Sequence, residues 1–278
     1  MSNTFFDCHA HINSPSFSKE NIEIIVNKAK EKNVKGIISV AETYEDCLDV
    51  LNVAKQYSKI ILPGIGLHPI QPLVDENGQR LDKGGRSSTL DEVYPVLDLI
   101  KEHQKEIVCI GEVGLDYSPQ FLKNVEEEKI IQKQIFEKQI ELANELNIPL
   151  NVHSRSAGHY AIETLIEKNA KNVVLHAFDG KPGYAQKGLQ AGFYFSIPPS
   201  IKRSPQKQKL VNILPLDRIL LETDSPALSP EKNTINEPSN VIISCEEIAR
   251  IKNISIEEVA RITNENALKL FPKLKNII

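Results

Sequence analysis

A chain of 278 residues, 41% hydrophobic and 25% charged, has enough apolar material for a sizeable core in one or two domains, which excludes a largely disordered protein. Its 33 basic and 37 acidic side chains leave a formal charge of -4, which excludes a protein that coats nucleic acid through a basic surface. The cysteines at 8, 47, 109 and 245 form no Cys-x-x-Cys pair, the start has no basic segment leading into an apolar one, and no run of roughly 18 apolar residues occurs, so the expectation is an intracellular protein, cytoplasmic or nuclear, with reduced thiols and no membrane span.

Short apolar runs alternate with amphipathic stretches along the whole chain, the rhythm of βαβ units with parallel strands. Phe5 to Ile12 reads as the first strand and carries Asp7-Cys8-His9-Ala10-His11. Strand alternation puts His9 and His11 on one face about 7 Å apart, a span that one or two metal ions can bridge. Helical spacing follows over Ile22 to Ala29, then a second strand over Val34 to Ala41, a helix over Tyr44 to Tyr57, and a third strand over Ile60 to His68. The stretch from Gln71 to Leu90, with Gly84-Gly85-Arg86-Ser87-Ser88, is polar and glycine-bearing and reads as a long loop. Loops of that length inside compact domains often serve function. A helix over Leu90 to His103 precedes the fourth strand, Ile107 to Asp116, which carries Glu112. The clearest helix comes next, with Ile131, Ile135, Leu142 and Leu146 sharing one face. Pro149 to Arg155, Val173 to Phe178, Phe193 to Ile197 and Arg218 to Asp224 supply the remaining strands, and helices over Ile242 to Ile251 and Ile256 to Leu270 close the chain.

Eight strands, each followed by a helical stretch, predict an α/β protein built as a (β/α)8 TIM barrel, a single domain over residues 1–278. An open doubly wound sheet fits less well, and the glycine-rich dinucleotide fingerprint is missing. Active sites in these barrels lie where strands end and βα loops begin. That rule gathers His9, His11, His68, Glu112, His153, His176 and Asp224 at one rim, five of the seven histidines among them. Histidines buried only for packing have no reason to choose the same end of separate strands. Imidazole and carboxylate donors with few thiols suit zinc, manganese, magnesium or iron. The set exceeds what one tetrahedral ion needs, so the expectation is two divalent cations bridged by Glu112: one with His9, His11 and Asp224, the other with His153 and His176. Paired ions are a recurrent device for hydrolysing phosphodiesters and amides. Glu112 and Asp224 form the expected catalytic pair, with Asp224 best placed to orient the nucleophilic water as general base.

The segments Asp7-Cys8-His9-Ala10-His11, Gly111-Glu112-Val113-Gly114-Leu115-Asp116, Asn151-Val152-His153-Ser154-Arg155 and Glu222-Thr223-Asp224-Ser225-Pro226 together resemble the TatD family of metal-dependent deoxyribonucleases, within the amidohydrolase superfamily. Many members carry His-Cys-Phe-Thr-Gly at the sixth strand, where this chain has His176-Ala177-Phe178-Asp179-Gly180. That variant, with Phe195-Ser196-Ile197-Pro198-Pro199-Ser200 and the ending Asn264-Glu265-Asn266-Ala267-Leu268-Lys269-Leu270-Phe271-Pro272, is similar to the eukaryotic TatD domain-containing protein 3 branch of that family. The resemblance implies a two-metal TIM barrel that acts as a nuclease with DNA as its substrate. A small-molecule amide, lactone or phosphoester hydrolase is the first rival, and a metal-stabilised binding protein without chemistry the second. Superfamily members that open cyclic amides often bridge their metals with a modified lysine on the fourth strand; Glu112 in that place tilts the balance toward phosphoesters. Nothing in the chain marks an obligate protein partner.

Among neighbouring residues, His68 is expected either to bind a substrate phosphate or to shape its loop. Arg155, on the strand face of His153, is expected to clamp phosphate or to pair with a barrel carboxylate such as Glu222. Lys202, Arg203, Lys207 and Lys209 read as a solvated helix face, and Asp7 as a supporting partner of the histidines. His103 and His159 fall on helical stretches and carry no role.

Overall fold

The computed structural model describes residues 3–17, 21–77 and 79–277; the remaining positions of the expected 1–278 domain lie outside the described residues. In chain order the elements are β1 (Phe5–Ala10), α1 (Ile22–Glu31), β2 (Val34–Val40), α2 (Tyr44–Gln56), β3 (Ile61–Ile65), β4 (Ile70–Val74), β5 (Arg80–Ser87), α3 (Leu90–Glu102), β6 (Cys109–Gly114), α4 (Val125–Leu146), β7 (Leu150–His153), α5 (Gly158–Glu167), β8 (Val173–Leu175), α6 (Pro182–Gln190), β9 (Tyr194–Ile197), α7 (Pro205–Ile213), β10 (Ile219–Leu221), α8 (Val241–Lys252) and α9 (Ile256–Leu270). Eight of the strands form one parallel sheet in the order β1-β2-β3-β6-β7-β8-β9-β10, the expected α/β barrel.

Alternation along the strands builds two apolar layers. Ile37, Ile61, Ile110, Leu175, Phe195 and Leu221 point outward into the main core under the helices, with Val26, Val50, Ile100, Phe136, Ile162 and Ile248. Their neighbours Ile38, Leu62, Cys109, Val174, Tyr194 and Leu220 fill the lumen with Phe6 and Cys8, and Leu270, Phe271 and Leu274 plug its lower end. An apolar plug below leaves the C-terminal end of the lumen to the polar residues. Among the described residues, no helix is long and apolar enough to cross a membrane.

The barrel closes between β10 and β1 through the Asp7 side chain and through backbone hydrogen bonds above it. Asp7 Oδ1 accepts the Thr223 backbone N–H at 2.8 Å and Oδ2 accepts the Thr223 hydroxyl at 2.6 Å. Just above, the Asp224 N–H donates to the His9 carbonyl at 2.8 Å and the His11 N–H to the Ser225 carbonyl at 2.8 Å. The register of β1 against β2 slips between Asp7 and Ala10, so strict alternation does not run from Asp7 through His11. Asp7 faces the seam while His9 turns to the lumen.

One expectation fails. The stretch from Gln71 to Leu90 is not a structureless loop: β4 and β5 pair antiparallel, with Ile70 opposite Ser87 and Gln71 opposite Arg86, and α3 begins at Leu90. The glycines that suggested a loop serve close packing. A Cβ on Gly84 (φ +93°) would lie 2.8 Å from the Leu73 side chain, and one on Gly85 would meet Ile70 at 2.7 Å and Phe121 at 3.2 Å. Strand candidate eight also ends early: β10 stops at Leu221, and Asp224 stands beyond it with a left-handed backbone (φ 57°).

Candidate metal centre

All the expected donors converge. Four atoms, His9 Nε2, His11 Nε2, Glu112 Oε2 and Asp224 Oδ1, form a compact group: the histidine nitrogens are 3.3 Å apart, Glu112 lies 3.5 and 3.3 Å from them, and Asp224 lies 3.4 Å from each. A tetrahedral ion with bonds of about 2.0–2.1 Å needs donor atoms about 3.3–3.4 Å apart, so this group fits one. The other oxygen of Glu112 turns elsewhere. Oε1 lies 2.7 Å from His153 Nδ1 and 2.7 Å from His176 Nε2, and those nitrogens are 3.3 Å apart. These shorter separations are hydrogen-bond distances, and a cation there would take the place of the shared protons.

Two of the imidazoles, His9 and His153, are held from behind by hydrogen bonds. Asn151, two residues before His153 on the same strand face, accepts from His9 Nδ1 at 2.9 Å and donates to the Cys8 carbonyl at 2.9 Å. Asp116 Oδ2 holds His153 Nε2 at 3.1 Å, and the ring of His176 stacks on His9 at 3.8 Å. Such partners fix which ring nitrogen faces the centre. Behind His176, Glu222 takes the Ala177 N–H at 2.9 Å and the Ser196 hydroxyl, while among the described residues His176 Nδ1 has no hydrogen-bond partner. Gly114 carries the backbone from β6 past β7: at φ +145°, a Cβ there would sit 2.0 Å from the His153 carbonyl oxygen.

The electrostatics follow from packing histidines on buried carboxylates. Burial disfavours the His9 cation, but Glu112 and Asp224 outweigh it and raise its pKa well above the ordinary value. The same contest lifts His11 to about 10, with Asp224 and Glu112 prevailing, and His153 to about 9, with Asp116 and Glu112 prevailing. His176 goes the other way: burial and then the neighbouring His9 push it down to about 3. Burial would raise Glu112, yet His176, His9 and His68 hold its carboxyl well below the usual range, and Asp224 is held low against burial by His11 and His9.

The flanking residues divide. His68 is buried with Nδ1 tied to its own loop, 2.9 Å from the Ile70 carbonyl oxygen and 3.0 Å from the Ile70 nitrogen, so the loop-shaping contact is present; Nε2 points inward, 3.7 Å from Glu112. Arg155 is exposed and lines the cavity above the centre; among the described residues it forms no ion pair with Glu222 or any other acid. Lys202, Arg203 and Lys209 are exposed, as expected. Lys207 is not: its side chain is buried, with Nζ 2.8 Å from the Ala177 carbonyl oxygen, so the solvated-face reading fails for this lysine. Leu210 and Val211, three and four residues on and both buried, mark the inward face of α7 that carries it. Glu42, Asp46 and Arg80 were also missed; they line the same cavity, with Arg80 bridging Glu42 at 3.3 Å and Asp46 at 3.5 Å. The β4–β5 hairpin supplies one wall of the adjoining outer groove, about 610 Å³, through Gln71, Pro72, Leu81 and Gly84.

A buried knot of imidazoles and carboxylates at the C-terminal mouth of a barrel can hold divalent cations and present them to a groove. Residues 6–272 match the family described as TatD related DNase. Over 272 residues the chain is 47% identical to the human protein named deoxyribonuclease TATDN3, spanning 98% of this chain and 96% of that one. It is 33% identical over 279 residues to the protein named uncharacterized metal-dependent hydrolase YabD of Bacillus subtilis, spanning 96% of this chain and 98% of that one. In fold it resembles the crystal structure of the TatD homologue YJJV of Escherichia coli, with a TM-score of 0.82 at 23% identity, spanning 98% of this chain and 99% of that one. The chain belongs to the TatD-related DNase family and is a hydrolase.

Proposed function

We propose that this hydrolase cleaves phosphodiester bonds in DNA with two divalent cations, one held by His9, His11, Glu112 and Asp224 and the other by Glu112, His153 and His176. The observation that carries the reading is the division of Glu112: Oε2 faces one pair of histidines and Oε1 faces another. When bound, paired ions lower the pKa of a water and offset the charge that develops on the phosphoryl group. The protein's own residues set up that chemistry. Asn151 and Asp116 fix the rings of His9 and His153, so their donor atoms need no reorganisation. The contacts of Asp224 with His9 and His11 run through Oδ1, which leaves Oδ2 to accept a proton from, and so orient, the attacking water. His68 Nε2 and the Arg155 guanidinium stand at the cavity wall, placed to donate to substrate phosphate. The relatives named deoxyribonuclease, together with a bridge made by a carboxylate, support a phosphoester over an amide or lactone.

The test is hydrolysis of labelled single- and double-stranded DNA by metal-loaded protein. Asp224→Ala and His153→Ala, each shown to be folded, should lose roughly 100-fold or more of the activity. Full activity in either variant would overturn the assignment of residues.

A further inference from the structure

A second cavity, about 140 Å³, opens beside the centre and shares His153, His176 and Asp224 with it. Its remaining polar lining comes from Ser154, Arg155, Asp179 and Lys207, none of which the two donor groups use. Two observations single out this cavity. Lys207 is drawn off the helix surface and buried there, and among the described residues its ammonium makes a single hydrogen bond, to the Ala177 carbonyl, so two of its three N–H groups are left to donate. The Ser154 hydroxyl is buried and, among the described residues, has no hydrogen-bond partner. A buried donor without an acceptor is destabilising, a cost that a bound acceptor would remove. The acids near Lys207 do not quench it. Glu222 already accepts from Ala177 and Ser196, Asp224 faces His9 and His11, and Asp179 is exposed.

We infer that this cavity is a phosphate subsite, in which Lys207 Nζ, the Ser154 hydroxyl and the Arg155 guanidinium donate to the non-bridging oxygens of a phosphodiester presented to the neighbouring centre. The inference rests on the phosphodiesterase reading and sharpens it. A carbonyl of an amide or lactone offers one acceptor and no charge, whereas a phosphodiester offers two oxygens sharing a negative charge, which suits an ammonium, a guanidinium and a hydroxyl converging from one side. It assigns substrate-class selection to residues outside the donor groups that hold cations.

The experiment is calorimetric titration of inorganic phosphate, and separately of dimethyl phosphate, into metal-free protein, so that no metal ion contributes. Wild type should bind both saturably. Lys207→Met should bind about 10- to 100-fold more weakly, the loss expected for a hydrogen bond to a charged group, with Ser154→Ala weakened by a smaller factor and Lys207→Arg largely restored. Lys209→Met, exposed on the same helix, is the control and should match wild type. Absence of saturable binding to wild type, or unaltered binding by Lys207→Met and Ser154→Ala, would overturn the proposal. Ser154→Ala keeps the test decisive if Lys207→Met does not fold, because it removes one oxygen and no backbone contact. With metals restored, the loss in Lys207→Met should fall mainly on KM for DNA, whereas a lysine that only braces the His176 loop would lower kcat. If metal-loaded wild type leaves DNA intact, the phosphodiesterase reading fails, and the metal-free titration still decides the cavity.

Discussion

Glu112 is the residue on which both donor groups depend, because removing its charge affects two sets of histidines at once. Glu112→Gln preserves shape, so it should fold, yet it should hold fewer than two ions per chain by elemental analysis and lose roughly 100-fold or more in turnover. The histidines make a second, independent prediction. Without metal, His11 and His153 stay protonated to a pH of about 10 and about 9 respectively, so ions that bind near neutral pH must displace those protons. Apparent metal affinity should therefore rise with pH from about 7 to 9, by about one decade per pH unit for each proton released. Calorimetry in buffers of different ionisation enthalpy reads the proton count directly, and a pH-independent affinity with no proton release would contradict the account. The convergence of the candidate donors was legible because each sits in a short motif at or just beyond a strand end. Asn151 and Asp116 were legible in principle, one in phase with His153 and the other at the end of its expected strand. Lys207 was hidden because a lysine-rich stretch ordinarily lies on solvent, and only its spacing to Leu210 and Val211 marks it as inward.

At the scale of elements, the strands place the site and the seam between the last and first strand holds it shut. Asp7 joins that seam through two hydrogen bonds to Thr223, so Asp7→Ala leaves buried donors without acceptors. It should cost about 2–4 kcal/mol in denaturant unfolding. Burial, opposed by the Thr223 bonds, raises the Asp7 carboxyl to about 7 from an ordinary 3.8, so the folded state keeps a proton that the unfolded chain releases first. That contribution is complete below about pH 3.8 and is lost as pH rises through about 7, so wild type should lose stability relative to Asp7→Asn over that window. A constant difference between the two proteins across the window would count against a buried, raised carboxyl. Gly114→Ala is the backbone counterpart: with a Cβ 2.0 Å from the His153 carbonyl, the β6–β7 contact must open, and the variant should lose both stability and bound metal. Strand order and type followed from apolar rhythm alone. The β4–β5 hairpin did not, since glycines that admit Leu73, Ile70 and Phe121 look the same in sequence as glycines of a loop, and the bulge that turns His9 inward is a tertiary effect of pairing with β2.

At the scale of the whole molecule, an apolar plug at one end of the barrel and a cluster of buried ionisable groups at the other divide the labour between stability and chemistry. Cations bound to the folded state alone stabilise it by about 2.7 kcal/mol at 100 times their Kd. For a chain of this size, chelation should therefore lower Tm by roughly 5–10 °C, reversibly on adding metal back. An unchanged Tm would mean that the donor groups do not hold ions in the folded state. With a net charge of -4, the proposed engagement of DNA should be local, through His68 and Arg155 at the groove and Lys207 in the neighbouring cavity, and not through the bulk surface. The most direct test titrates divalent metal into stripped protein while hydrolysis of labelled DNA is followed on the same preparation. Cleavage should be absent without metal and its rate should climb to a plateau at two ions per chain; a plateau at one ion, or intact DNA in the presence of folded, fully loaded protein, would rule out the two-ion mechanism.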